Sequence, residues 1–233
     1  MRGLSAAGVG THIPLPWRGA AKAAGWFPVS TKNGVNTMLF SFFALISRMK
    51  NIARWSLMRN SAAENVQEHS HMVAVIAHAL SVIRRDVLHG DADPCQAAAY
   101  ALFHDASEIF TGDLPTPIKY HDPDIMSAYK RVETAASAKL LSSLPPEMRP
   151  AYEPLLSSAA TDDTLALVKA ADKLSAYIKC LEELKAGNLE FRLAAEQSRR
   201  KLEALQMPEV EYFINHFIPA FDLTLDELDF TFD

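Results

Sequence analysis

Apolar residues recur every three or four positions along most of the chain, and this spacing predicts amphipathic α-helices. The clearest predicted helix covers residues 66–87, with an inward stripe formed by Val66, His69, Val73, Ile76, Leu80, Ile83 and Val87. Another long helix follows the N-cap candidates Thr161-Asp162-Asp163, and its stripe is formed by Leu167, Ala171, Leu174, Ile178 and Leu181. Neither convincing strand alternation nor an internal repeat is visible, so the pattern predicts an all-α fold.

The remaining predicted helices are shorter, and Gly or Pro residues mark their ends. They cover residues 40–50, 97–108, 124–144, 147–160, 189–205 and 210–217, with a final turn at 223–228. A chain of 233 residues is long enough to bury one core of ordinary size. We therefore expect a single helical bundle over residues 38–233.

Residues 1–37 differ from the rest of the chain. They contain four basic residues, no acid and scattered Gly and Pro, without an apolar period. This composition predicts an irregular or disordered N-terminal extension. Such a leader is either a targeting peptide or a translated upstream extension. We prefer the second interpretation, because Met38 opens the first segment with a clear pattern.

Composition excludes two classes of partner. The chain is 49% hydrophobic and carries a formal net charge of −5, so nothing predicts affinity for nucleic acid polymers. No apolar stretch approaches the roughly 20 residues of a membrane span. Cys95 and Cys180 have no CxxC neighbour, as expected of reduced thiols in a cytoplasmic protein.

Three side chains suited to metal or proton chemistry follow the helix-forming run at residues 97–102. His104 and Glu108 are four residues apart and Asp105 and Glu108 three apart, so on a helix all three crowd one face. Burying them together is costly unless a positive charge lies among them, and a divalent metal is the natural candidate. The alternative is a partly exposed helix end with a solvated acid.

Two further candidates lie on the long helices. His69 occupies an inward position, whereas His71 and His78 fall half a turn away and should face outward. A lone histidine on an apolar stripe is more often a hydrogen-bonded core residue than a ligand. Asp172 lies beside the second stripe, a position that does not suit a solvated surface acid. Lys173 could pair with it only poorly, because neighbours in sequence point apart on a helix.

Together these residues predict a metal site between helices. Two imidazoles (His69, His104) and two carboxylates (Asp105, Asp172) form a mixed nitrogen and oxygen set that suits a divalent transition metal. Four protein ligands leave an octahedral ion two positions for water and substrate. The Cys-rich sets of structural zinc are absent, as is HExxH.

This order of residues resembles the H…HD…D signature of the HD-domain metal phosphohydrolases. Longer strings are similar to the YfbR-like 5′-deoxynucleotidases, and the similarity covers residues 38–227. The strings are Arg54-Trp55-Ser56-Leu57-Met58-Arg59-Asn60, Glu64-Asn65-Val66-Gln67-Glu68-His69-Ser70, His104-Asp105-Ala106-Ser107-Glu108, Thr111-Gly112-Asp113-Leu114-Pro115-Thr116-Pro117 and Tyr177-Ile178-Lys179-Cys180-Leu181-Glu182-Glu183-Leu184. Residues 1–37 lie outside this pattern.

The resemblance implies an HD-domain bundle that removes the 5′-phosphate from deoxyribonucleoside 5′-monophosphates with a divalent metal such as cobalt or manganese. By matching motif, the metal ligands are His69, His104, Asp105 and Asp172, and three of them (His69, Asp105 and Asp172) also face the substrate. Relatives commonly pair as homodimers, which is the assembly we expect.

The same resemblance assigns the remaining roles. Glu108 matches the catalytic acid or base, and Arg54 the catalytic residue that orients the phosphate. Trp55 matches the residue that lies against the sugar. The loop that holds the nucleoside consists of Asp113, Leu114, Pro115 and Thr116, with Asp113 contributing to catalysis through the sugar hydroxyl.

Two other classes of function remain open from the residues. Another HD-type hydrolase, such as a cyclic-nucleotide phosphodiesterase or a triphosphohydrolase, uses the same metal set, although the extra ligands or basic clamps such enzymes often need are not apparent. A non-catalytic metal-binding helical module is the third possibility. Glu108, Arg54 and Asp113 argue against the module.

Overall fold

The computed structural model describes residues 28–30, 36–115, 122–157 and 161–228. Within these ranges the chain forms nine α-helices, which we name α1 (Phe42–Ile46), α2 (Val66–Val82), α3 (Pro94–Phe103), α4 (Glu108–Thr111), α5 (Pro123–Ser142), α6 (Arg149–Leu156), α7 (Asp162–Lys185), α8 (Arg192–Glu203) and α9 (Pro208–His216). Short 3₁₀ or π turns extend or join them at Ser47–Asn51, Ile83–Val87, Pro146–Met148, Leu189–Phe191, Ile218–Asp222 and Asp226–Leu228. The predicted all-α class is confirmed.

One short element was not predicted. Strands β1 (Pro28–Ser30) and β2 (Asn36–Met38) pair antiparallel, with Val29 opposite Thr37. Three-residue strands are too short to show an alternating pattern, which explains why the sequence did not indicate them. The rest of the predicted irregular extension, at residues 1–27 and 31–35, lies outside the described residues.

Helix α2 begins at a capping box. The Asn65 side chain accepts hydrogen bonds from the backbone N–H groups of Gln67 and Glu68, both at 3.0 Å, and the Glu68 carboxylate accepts from the Asn65 N–H at 3.1 Å. These bonds satisfy N–H groups that have no partner inside the helix. These capping hydrogen bonds therefore fix where α2 starts, and with it the position of His69 along the helix.

The main core lies between α2, α3 and α7, which pack against one another. Leu80 of α2 and Leu174 of α7 are fully buried, and each burial contributes about 1.5–3 kcal/mol. The predicted stripe of α2 is confirmed as far as Ile83. Val87 was predicted to be inward but is 44% exposed, because the helix widens into a π turn at Ile83–Val87 and its periodicity changes there.

A smaller core holds the segment between α3 and α4. Phe42 of α1 is fully buried, and its ring lies 5.0 Å from that of Tyr152 on α6 and 6.3 Å from that of Phe103. Ala106 packs into this cluster at 1% exposure. Because Ala106 follows His104 and Asp105 directly, its burial anchors the turn that carries them.

The loop from Ala53 to Asn65 is tied to α7 by a buried ion pair. Glu183, 1% exposed, pairs with Lys179 and accepts hydrogen bonds from the N–H groups of Ser61 (2.8 Å) and Ala62 (3.2 Å). Burial alone would raise the pKa of Glu183. The hydrogen bonds from Lys179 and Ser61 have the larger effect and hold that pKa well below the ordinary value. Removing this carboxylate would leave the buried Lys179 ammonium without its charge partner and would untie the loop at Ser61 and Ala62.

In the described part of the chain, every helix is too short or too polar to cross a membrane.

Candidate active site

His69 occupies the buried point where α2 meets α7. It is fully buried, as its stripe position predicts, whereas His71 and His78 are exposed on the opposite face. The His69 Nε2 lies 3.1 Å from the Asp172 Oδ1 and 3.6 Å from the Asp105 Oδ2. Its Nδ1 lies 3.2 Å from the Ser175 Oγ of α7. Nε2 therefore faces carboxylates, while Nδ1 lies within hydrogen-bond distance of a hydroxyl.

His104 and Asp105 do not lie on one continuous helix with Glu108, which corrects the prediction from spacing. Helix α3 ends at Phe103, residues 104–107 form a turn, and α4 begins at Glu108. The backbone bonds of this turn span three residues, from the Ala106 N–H to Phe103 and from the Glu108 N–H to Asp105, both at 3.0 Å. Adjacent residues of an α-helix point about 100° apart. The tighter turn brings both His104 and Asp105 to the site.

Asp172 of α7 completes the cluster. It is half-buried beside the apolar stripe, as predicted. One ligand atom each from His69, His104 and Asp172 lies within 4.8 Å of the others. Asp105 joins them, since its Oδ2 is 3.1 Å from the His104 Nε2. Thus all four predicted ligands converge from α2, the turn after α3, and α7.

The ring nitrogens of both histidines fit a metal. The Nε2 atoms of His69 and His104 are buried, and although each lies 3.1 Å from a carboxylate oxygen, neither is aligned for a hydrogen bond to a described residue. The His104 Nδ1 lies 2.7 Å from the Ala101 carbonyl, which can only accept, so Nδ1 carries the proton and Nε2 presents a lone pair in the neutral ring. Two such nitrogens beside two carboxylates form a donor set suited to a divalent transition ion.

The charges of the cluster depend on one another. Burial raises the pKa of Asp105, but His104, His69 and Arg54 outweigh it and hold that pKa below the ordinary value. Burial lowers the pKa of His104, and Asp105 overcomes this and raises it to about 9. A ligating imidazole must be neutral, so metal binding here would release a proton and would weaken in acid.

Glu108 is a buried carboxyl group at the start of α4. It is 7% exposed, and its Oε2 makes no hydrogen bond to a described residue. Burial raises its pKa to about 9, and the charges of Asp105 and Asp113 add to this effect. Glu108 therefore holds a proton at neutral pH in the absence of a metal, and it is available for acid or base chemistry.

The predicted nucleoside loop is only partly described. Helix α4 ends at Thr111 and is followed by Gly112, whose φ of 71° lies in the left-handed region that glycine adopts without strain. Asp113, Leu114 and Pro115 are half-buried, and Asp113 is close enough to influence Glu108. Thr116 lies outside the described residues.

Arg54 and Trp55 lie at the edge of the cluster. The Arg54 Nη1 is 3.5 Å from the Asp105 Oδ2, and the Trp55 ring packs 5.3 Å from that of Phe191. Trp55 has a φ of 57°, which is rare for a bulky residue and recurs at functional sites. Arg54 therefore contacts one of the predicted ligands, and Trp55 follows it directly in the chain.

The sequence pattern did not indicate Glu64, which contacts Arg54 and Trp55, or Ser175, which contacts His69. Glu64 accepts a hydrogen bond from the Trp55 Nε1 at 2.8 Å and lies 3.3 Å from the Arg54 Nε. Its partners are nine and ten residues away through an irregular loop, where no helical or strand period operates. The available signal was its position beside the Asn65 cap, within one of the strings that resemble the family.

The chain matches a known family and its members over most of its length. A family model described as 5′-deoxynucleotidase YfbR-like matches residues 41–221. A 5′-deoxynucleotidase of Photobacterium profundum is 50% identical over 188 residues, which cover 80% of this chain and 97% of the relative.

Solved structures share the fold. An HD-domain phosphohydrolase from Listeria innocua aligns with a TM-score of 0.69 at 23% identity, over 81% of this chain and 92% of that chain. The HD phosphohydrolase of cyanophage S-2L, described as bound to dA and one catalytic Zn²⁺ ion, aligns with a TM-score of 0.53 at 21% identity, over 76% and 95%. The fold is that of the HD-domain phosphohydrolases, and by sequence the chain belongs to the YfbR-like 5′-deoxynucleotidase family.

Proposed function

We propose that this protein hydrolyses deoxyribonucleoside 5′-monophosphates to deoxyribonucleosides and phosphate, with a divalent metal at the cluster of His69, His104, Asp105 and Asp172. The observation that carries the proposal is the pair of buried Nε2 atoms without hydrogen bonds, facing two carboxylates beside a protonated Glu108. Membership of the family supports the substrate class.

The metal would supply a water of lowered pKa and would polarise a phosphate oxygen. We propose cobalt or manganese, because a site with two imidazoles, two carboxylates and open positions suits ions that accept octahedral geometry. The orienting hydrogen bond from His104 to Ala101, and that between His69 and Ser175, would hold the rings toward the ion.

Arg54 would bind the phosphate. Its side chain is mostly buried, and it lies beside Asp105, one of the proposed ligands. A planar guanidinium can donate two parallel hydrogen bonds to phosphate oxygens and stabilise their charge during transfer. His69, Asp105 and Asp172 would also face the phosphate, since a substrate oxygen would take one of the coordination positions that these ligands leave open on the ion.

Glu108 would act as the acid for the leaving group. Attack by a water-derived hydroxyl forms a new P–O bond and breaks the bond from phosphorus to the 5′-oxygen, which then needs a proton. A protonated Glu108 would give it that proton and would be reprotonated when the next attacking water loses its own proton. The raised pKa of Glu108 supports this assignment over that of a permanently charged base.

Trp55 and the loop of Asp113, Leu114, Pro115 and Thr116 would hold the nucleoside. An indole beside the sugar can exclude a 2′-hydroxyl by size, and it tolerates any base. Asp113 would accept a hydrogen bond from the 3′-hydroxyl, on a loop that Pro115 stiffens.

We also propose a homodimer that works in the cytoplasm. Leu57, Leu189 and Leu193 are 71%, 62% and 63% exposed, and the Arg59 N–H bonds Glu190 at 3.3 Å, so their two segments adjoin. An apolar surface of this kind supports a subunit contact. The free thiols Cys95 and Cys180 are compatible with a reducing compartment.

Replacing a ligand should abolish both metal binding and turnover. We expect His69→Ala and Asp172→Ala to lose the bound ion and to release phosphate from dAMP at least about a hundredfold more slowly, because each deletes a donor from a four-ligand set. Metal content is measured by mass spectrometry after EDTA treatment and add-back of Co²⁺ or Mn²⁺. The matched control is His71→Ala, which removes an exposed histidine of the same helix. A folded Asp172→Ala protein with full metal content and turnover would contradict the ligand set.

Replacing Glu108 should separate catalysis from metal binding. We expect Glu108→Gln to keep the ion and to lose at least about a hundredfold in kcat, as for removal of a general acid. In the wild type, kcat should fall as pH rises through the pKa of Glu108, because the deprotonated carboxylate cannot donate, and the variant should lack this alkaline limb. The control is Glu147→Gln on the surface. Loss of the metal in Glu108→Gln would make Glu108 a ligand instead.

Sugar selectivity should depend on Trp55. We expect Trp55→Ala to narrow the ratio of kcat/KM for dAMP over AMP by about tenfold, mainly by admitting the ribonucleotide. Asp113→Ala should weaken both substrates together, since both carry the 3′-hydroxyl. An unchanged ratio in Trp55→Ala would show that the 2′-hydroxyl is rejected elsewhere.

A further inference from the structure

The Glu64 carboxylate contacts three of the residues that the proposed function uses. Its Oε2 accepts the indole N–H of Trp55 at 2.8 Å and lies 3.3 Å from the Arg54 Nε. Its Oε1 lies 3.9 Å from the His69 Nδ1. The Glu64 side chain is 15% exposed. A single carboxylate therefore connects the proposed phosphate residue, the proposed sugar residue and a proposed metal ligand.

The backbone holds Glu64 at this place. Its carbonyl accepts the Arg54 N–H at 3.0 Å, and on either side Ala53 bridges Asn65 and the Val66 N–H donates to Ile52 at 3.0 Å. Immediately afterwards the capping box starts α2. Glu64 is thus fixed on a short antiparallel pairing at the base of a capped helix, a rigid support for a carboxylate that must hold other side chains.

Trp55 needs such support. Its left-handed backbone costs on the order of 1 kcal/mol or more for a bulky residue. Its carbonyl accepts the Met58 N–H at 2.9 Å and the Asn60 Nδ2 at 3.3 Å, and these bonds hold the backbone. They do not fix the rotation of the ring. Packing on Phe191 and the bond from the indole N–H to Glu64 do that.

We propose that Glu64 is a positioning residue for nucleotide recognition, which orients the Trp55 ring against the sugar and holds the Arg54 guanidinium toward the phosphate. This inference rests on the proposed function. A carboxylate close to a phosphate is unfavourable unless it is neutralised, and the Arg54 pairing does this. The hydrogen bond from Trp55 to Glu64 determines the preference for the deoxy sugar, and the negative charge of Glu64 determines the placement of Arg54.

Two substitutions separate these contributions. Glu64→Ala removes both, so the preference for dAMP over AMP in kcat/KM should fall at least about fivefold. Glu64→Gln retains an amide oxygen that can accept the indole N–H but loses the charge. Glu64→Gln should therefore keep most of the wild-type preference for dAMP. Its KM should rise for both nucleotides, because Arg54 is less well held. Metal content should stay at the wild-type level in both proteins.

A double substitution tests whether Glu64 acts through Trp55. In a Trp55→Ala background, Glu64→Ala should not lower the dAMP preference further, since the ring that it orients is gone. Glu68→Gln is the matched control. It lies four residues away on the exposed side of α2 and takes part in the capping box, so it reports any general effect of disturbing the helix start.

A readout independent of turnover completes the test. The chain has three tryptophans, so a protein with Trp17→Phe and Trp26→Phe reports Trp55 fluorescence alone. Glu64→Ala should increase acrylamide quenching of Trp55, and Glu64→Gln should leave it close to the wild-type value. Full dAMP preference and unchanged quenching in Glu64→Ala, whatever its stability, would overturn the inference, as would loss of metal with the preference intact. A wild type that hydrolyses neither nucleotide refutes the proposed function instead, and the quenching comparison then decides the positioning role alone.

Discussion

The structure depends on a group of acids and imidazoles that meet around the buried ring of His69. Asp105, Asp172 and Glu108 approach His69 and His104 in a region where water cannot fully screen their charges. Such a cluster is stable only if positive charge balances the carboxylates. Without a metal, a proton on His104 and a proton on Glu108 supply that balance. The proton on His104 would have to leave before that ring could bind an ion, whereas the proton on Glu108 would be available for acid chemistry.

Other parts of the fold keep this cluster in register. The capping box at Asn65 fixes the position of His69, and the small core around Phe42 and Ala106 anchors the turn of His104 and Asp105. The buried carboxylate of Glu183 ties the loop at Ser61 to α7. These supports lie outside the reacting atoms, yet each determines where a reacting side chain points. Precision at the site is therefore distributed over several independent local interactions.

Local pattern was sufficient for some residues of the site. The stripes of α2 and α7 indicated that His69 and Asp172 face inward, and both lie where expected. The three- and four-residue spacing of apolar positions and the lack of strand alternation were sufficient for the all-α class. The substrate class came from resemblance of longer strings and not from periodicity.

Long-range and irregular features could not be predicted in this way. The break after Phe103 follows from three-residue backbone bonds that spacing does not reveal, and no Gly or Pro marks it between Phe103 and Glu108. Val87 is exposed because the π turn at Ile83–Val87 changes the number of residues per helical turn. Glu64 depends on contacts across a loop, so neither its burial nor its partners follow from sequence neighbours. In each case tertiary packing overrides the local pattern.

The central claim is that the buried cluster is one metal site whose ion replaces a proton. It is tested most directly by calorimetric titration of metal-depleted protein with Co²⁺ or Mn²⁺ at pH 7, in two buffers of different ionisation enthalpy. We expect saturation at one ion per chain, with a proton released because His104 must lose its proton to become a ligand. Absence of saturable binding, or binding with identical heats in both buffers, would contradict it.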